Sequence, residues 1–116
     1  MDAKAQAIDF AKLLYDKKAT DVEVLHIGTL TTIADYFVIC SANSHLQSQA
    51  LAGALVDKAE EMGAELLRTE GLRDGAWVLL DFGAVVVHIF KKDIREFYAL
   101  ERLWGDAERE NLAFEE

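Results

Sequence analysis

Hydrophobic residues recur along this chain in two rhythms, one of period two and one close to 3.6. The sharpest period-two stretch is WVLLDFGAVVVHIF, residues 77–90. Val, Leu, Phe and Ile flank Gly83-Ala84 on both sides, which predicts two paired strands joined by a tight turn. Alternate residues of a strand point to opposite faces. Val78, Leu80, Phe82, Val85, Val87 and Ile89 therefore form one wholly apolar face. Trp77, Leu79, Asp81, Val86, His88 and Phe90 form the other, where an indole, a carboxylate and an imidazole interrupt the apolar surface.

The remaining pattern predicts α-β-β-α-β-β-β-α. Residues 2–18 form a helix, with Asp2 as N-cap and Ile8, Ala11, Leu14 and Tyr15 along one stripe. DVEVLHIG (21–28) is a short strand, and ADYFVICSA (34–42) is apolar enough to be central. Ser44 and Gln47 have the spacing of a capping box for a helix that buries Leu51, Leu55, Ala59 and Met62 and stops at Gly63. AELLRTEG (64–71) is a third strand, followed by an Arg73-Asp74-Gly75 turn and the 77–90 hairpin. Asp93, with Glu96 at the third position, predicts a cap for a last helix, DIREFYALERLWGDA, rich in aromatics. ERENLAFEE then reads as a frayed acidic tail. The expectation is one α/β domain over 1–107, with a mixed five-stranded sheet flanked by helices, and a tail over 108–116. Its element order resembles that of the nucleotidyltransferase fold.

Composition narrows the function. The chain is 52% apolar, enough for a packed core, and lacks proline. No apolar run reaches the roughly 20 residues of a membrane span. The opening MDAKAQAIDF is unlike a signal peptide, and one cysteine excludes an internal disulfide, so a cytoplasmic protein is expected. Twelve basic and 21 acidic residues give a net charge of −9. Residues 21–90 contain only Lys58, Arg68 and Arg73 against ten carboxylates. Such a field repels nucleic acid and attracts a basic partner.

Catalytic constellations are missing from the sequence. A nucleotidyltransferase needs two carboxylates for Mg²⁺ and a glycine-serine turn for phosphates. SANS (41–44) stands where that turn would be, and Asp35 has no carboxylate partner beside it. His26, His45 and His88 lack metal-ligand spacing. Cys40 sits in an apolar strand as a small hydrophobe, and neighbours such as Ser41, Ser44 and His45 rarely meet as a triad. No catalytic residue, metal site or cofactor is expected. What remains is a surface, since Trp and Tyr dominate binding hot spots. Two readings stay open: Trp77, Leu79 and Asp81 face a partner, or a helix covers them, with Trp77 in the core and Asp81 paired to His88.

The segments ADYFVICSANSHLQSQALA (34–52), EG (70–71), WVLLDFGAVVVHIF (77–90) and REFYALERLWGDA (95–107) together resemble the ribosomal silencing factor, or Iojap-like, family. The similarity spans about residues 3–107. It implies a nucleotidyltransferase-like fold without catalysis. It also implies binding to large-subunit ribosomal protein fourteen, which blocks joining of the small subunit and represses translation, especially under nutrient limitation. Free members often pair as homodimers. Carried over by position, Trp77, Asp81 and Tyr98 are the expected partner contacts, joined by Leu79, Glu70 and Leu103. Many relatives have Asp where this chain has Ala84, leaving Asp81, Asp74 and Glu70 to supply charge. The indole of Trp77 is expected to face the partner without holding the core, and His88 to be structural, bonded to backbone or carboxylate. The alternative is a nucleotidyltransferase-like enzyme or a nucleotide-binding protein.

Overall fold

A computed structural model describes residues 2–112. Helix α1 (Ala3–Asp16) is capped by Asp2, whose Oδ1 accepts from the Ala5 N–H at 2.7 Å. Its buried stripe is Ala7, Phe10, Ala11 and Leu14, rotated from the expected one so that Tyr15 is exposed. Phe10 recruits the helix to the sheet by packing on Phe82, with ring centroids 4.8 Å apart. Strands β1 (Thr20–His26) and β2 (Tyr36–Ala42) follow, then helix α2 (His45–Glu61). The α2 cap is as expected in part: Ser44 Oγ accepts from the Gln47 N–H at 3.1 Å, and Gln47 Oε1 accepts from the N–H of Asn43. Leu51, Leu55 and Ala59 are buried along α2 as expected, with Ser48 and Ala52 beside them.

Strand β3 (Arg68–Glu70) is three residues, much shorter than the expected 64–71. Strands β4 (Trp77–Asp81) and β5 (Val85–Lys91) form the predicted hairpin. The sheet is mixed, in the order β3-β4-β5-β2-β1-β6, with β2 and β5 parallel at its centre. Its sixth strand, β6 (Glu108–Arg109), corrects the expected five strands and the frayed tail. Arg109 and Glu108 pair with Leu25 and His26 of β1, and Leu112 is buried in the main core. Two residues of ladder and one leucine hold the described tail in place, a signal too short for periodicity to reveal.

The expected last helix is broken. α3 (Lys92–Tyr98) and α4 (Leu100–Leu103) are separated by Ala99, at φ 47° and ψ 49°. Lys91, without a side-chain hydrogen bond, is the N-cap of α3, and Asp93 instead lies in its first turn. One sheet face packs against α1 and α2 in the main core. On the other, Leu25, Ile27, Phe37, Ile39, Val86 and Phe90 make a smaller core under Ile94, Leu100 and Trp104.

Ala99 takes a left-handed conformation that costs an L-residue roughly 1–2 kcal/mol and glycine almost nothing. Ala99→Gly is therefore expected to stabilise the fold by about 1 kcal/mol, a Tm rise of roughly 3–6 °C. A lower Tm would contradict this, and would mean that packing of the Ala99 methyl outweighs the relief of backbone strain.

Candidate functional site

The site begins with a register. Gly83, at φ 87°, opens the Gly83-Ala84 turn between the facing residues Phe82 and Val85, a backbone conformation that favours glycine. Asp81 Oδ1 accepts from the Gly83 N–H at 2.8 Å, and Phe82 N–H donates to the Val85 carbonyl at 2.9 Å. Pairing then sets Trp77 opposite Phe90, Leu79 opposite His88, and Asp81 opposite Val86. Strand β3 continues the rows, with Glu70 beside Leu79 and Arg68 beside Asp81. Four of the six expected contact residues, Glu70, Trp77, Leu79 and Asp81, thus share one face, beyond the central strands that α3 and α4 cover.

Arg68 joins them, although sequence reading gave it no role. Its guanidinium lies 2.7 Å from Glu70 and 3.3 Å from Asp81. The two carboxylates share one cation, so this patch has a local charge near −1. The signal was available in the alternation, since Arg68 and Glu70 lie two residues apart. Exposed pairs of this kind contribute roughly 0–1 kcal/mol to stability. Leu103, on α4, is 74% exposed, a large apolar side chain left in solvent. Trp104 beside it turns inward and meets Phe37 edge to face at 5.7 Å. Tyr98 ends α3, and its side chain lies outside the described residues.

Trp77 and His88 depart from expectation together. Trp77 is half-buried, stacks on Phe90 at 4.8 Å, and donates from Nε1 to His88 Nδ1 at 3.1 Å. His88 is therefore bonded to an indole, where a backbone or carboxylate partner was expected, and the Asp81–His88 pair gives way to Arg68–Asp81. Both open readings hold in part: a helical segment covers the middle of this face, and Trp77 stands at its margin with one side on the small core. Truncating Trp77 would strip His88 of its hydrogen bond, so the expected neutrality toward stability is corrected. Gly71 seats the strand, because a Cβ at its φ of 75° would lie 1.9 Å from the Trp77 carbonyl oxygen.

The Trp77 bond also fixes the His88 tautomer. With Nδ1 accepting, the neutral ring carries its proton on Nε2, which is buried without a hydrogen-bond partner among the described residues. Desolvation pushes the His88 pKa down to about 4. Burial likewise pushes the Cys40 thiol up to about 12, as suits an inert core residue. Among the described residues no cluster of His, Cys, Asp or Glu could hold a metal ion. No helix in them is long and apolar enough to cross a membrane.

The chain matches the family model described as "Ribosomal silencing factor during starvation" over residues 1–116. It belongs to the ribosomal silencing factor family. The Bacillus subtilis ribosomal silencing factor is 46% identical over 99 residues, covering 85% of this chain and 84% of that protein. The mouse protein named "Mitochondrial assembly of ribosomal large subunit protein 1" is 32% identical over 95 residues, covering 79% of this chain and 42% of its own length. A crystal structure of a Chromobacterium violaceum protein superposes with a TM-score of 0.88 at 31% identity, covering 97% of this chain and 93% of that one. The α/β class expected for this family member is thereby shown.

Because the folded His88 pKa lies below its unfolded value near 6.5, the unfolded chain binds more protons between pH 6.5 and 4. This contribution to stability is complete above about pH 6.5 and lost as pH falls toward 4. His88→Gln keeps an acceptor for Trp77 and removes the titration. Denaturant melts across this range should show wild type losing roughly 2–4 kcal/mol more than the variant. Parallel pH profiles would contradict the assignment.

Proposed function

We propose that this protein binds the large ribosomal subunit through large-subunit ribosomal protein fourteen and, by occupying that site, sterically blocks joining of the small subunit. Translation is repressed by occupancy alone, without catalysis, most of all when nutrients are short. Family membership supplies the silencing role, and the name of the mouse relative points to the large subunit. The observation that carries the choice of surface is the gathering of Trp77, Leu79, Asp81, Glu70 and Arg68 on the open margin of one sheet face, over whose centre lies the segment bearing Leu103. Half-buried indole, exposed leucine and paired carboxylates give an apolar centre with a charged rim, the composition of an energetic hot spot. Tyr98 belongs to the same surface on this reading.

The net charge of −9 on this chain would attract a partner of basic character. Steering should be screened beyond about 8 Å at physiological ionic strength, so salt should slow association more than it speeds dissociation. The protein acts in the cytoplasm, where ribosomal subunits join. On the same reading the free protein pairs as a homodimer.

The test is co-sedimentation with separated subunits together with a subunit-joining assay. The protein should travel with large subunits and not with small ones, and should lower the yield of joined ribosomes without nucleotide hydrolysis. Normal joining at saturating protein would refute the proposal. Leu103→Glu should cost about 2 kcal/mol or more of affinity while changing stability by no more than about 0.5 kcal/mol, because this side chain is exposed in the free fold. Asp81→Asn should weaken binding and flatten its salt dependence. Unchanged affinity in both variants would move the contact elsewhere.

A further inference from the structure

Arg95, in the middle of α3, is buried to 6% exposure, the only Lys, Arg, Asp or Glu buried to that extent among the described residues. A guanidinium in such a place must be fully engaged. Nη1 donates to the Asp21 carbonyl at 2.6 Å and to Ser41 Oγ at 2.9 Å, and Nη2 meets Glu23 Oε2 at 2.7 Å. These acceptors come from β1 and β2, so one side chain on α3 spans two strands of the sheet. The Asp21 carbonyl belongs to an irregular stretch of β1, where the ladder shifts register between Thr20 and Glu23 and Asp21 has φ 49°. Glu23 uses its second oxygen on Arg109 of β6 at 3.1 Å. The same carboxylate thus ties both α3 and β6 to β1.

The segment held in this way has little strength of its own. α3 has seven residues and α4 four, with a left-handed residue between them. Isolated helices of this length do not persist in water. The Arg95 carbonyl accepts the Ala99 N–H at 2.8 Å, so the anchored residue also closes the turn at which the chain changes direction. Beyond that turn come Leu103, exposed, and Trp104, packed on Phe37.

We propose that Arg95 is the positioning residue of the partner-binding surface: its three-acceptor anchor on β1 and β2 holds α3 and α4 in the orientation that packs Leu100 and Trp104 on the small core and leaves Leu103 exposed above the sheet face that bears Trp77 and Asp81. This inference rests on the binding reading above. A forked guanidinium can engage acceptors on two strands at once, whereas the compact ammonium of lysine cannot reach all three. Loss of the fork leaves the sheet and the α1–α2 core intact and lets the α3–α4 segment sample several orientations. Apparent affinity then falls by the fraction of molecules in the competent orientation, and the loss appears in the association rate.

Arg95→Lys and Glu23→Gln test this in the full chain. Hydrogen exchange should accelerate at residues 92–104 in both variants and stay at wild-type rates in α2. Affinity for isolated large subunits should fall by about tenfold in Arg95→Lys and by a smaller factor in Glu23→Gln. Maximal inhibition of subunit joining should be reached by both at higher concentration, because the competent orientation is rarer but still available. Faster exchange at 92–104 with unchanged association would overturn the proposal, as would wild-type exchange in both variants. If Arg95→Lys unfolds globally, Glu23→Gln decides by the same two readouts, since its side chain is partly exposed. Wild-type protein that fails to bind large subunits overturns the function reading and this one with it, while the exchange data report separately on the anchor.

Discussion

Everything on the candidate surface depends on the register of the β4–β5 hairpin. The side-chain period of a strand is two, so a slip of one residue would exchange its faces. Val78 and Leu80 would enter solvent, and Asp81 and His88 would enter the main core. One turn conformation and three hydrogen bonds prevent this. Gly83 supplies the left-handed residue of a two-residue turn, Asp81 accepts the Gly83 N–H, and the Ala84 carbonyl accepts from both Asp35 and Tyr36 at 2.8 and 3.0 Å. The last two bonds join the turn to the start of β2 and so fix the parallel β2–β5 pairing at the centre of the sheet. One turn thereby sets two ladders and both faces.

The second face carries two demands that pull apart. A partner surface wants exposed apolar and charged groups, and a small core wants them covered. The chain divides the face by strand: α3 and α4 cover the middle, β4 is partly covered, with Trp77 and Leu79 packed against the small core, and β3 is left open. Trp77 stands at the boundary, with Phe90 and His88 on one side and the open margin on the other. Its N–H satisfies one nitrogen of a buried imidazole that burial keeps neutral near physiological pH. Polarity on a greasy sheet face therefore has two causes here, an internal hydrogen bond for the imidazole and an exposed rim for the carboxylate.

What the sequence made legible follows from the range of each interaction. The alternation in 77–90, the Asp2 and Ser44 caps, and the apolar 34–42 strand are local, and each element formed where expected. The broken last helix was not legible, because REFYALERLW contains neither glycine nor proline and tertiary packing puts Ala99 in a left-handed conformation. Strand β6 was missed because two residues carry no period, and its pairing with β1 crosses more than eighty residues of chain. Of the contact residues, Glu70, Trp77, Leu79 and Asp81 share a face through strand register, which alternation could foresee. Arg68 was legible in part, since Glu70 lies two residues along its own strand while Asp81 lies 13 residues away on β4; Arg95 was not, because its acceptors lie 54–74 residues away on β1 and β2.

The central claim is that the open margin of the second face, together with α4, meets the large subunit. Hydroxyl-radical footprinting of the protein bound to purified large subunits tests it most directly, by comparing side-chain reactivity free and bound. Trp77, Leu79 and Leu103 should lose reactivity on binding, while Tyr15 on α1 and Leu46 on α2, both exposed in the free fold, should keep theirs. Protection of Tyr15 and Leu46 with Trp77 and Leu103 unchanged would contradict the account and place the interface on the α1–α2 side of the molecule.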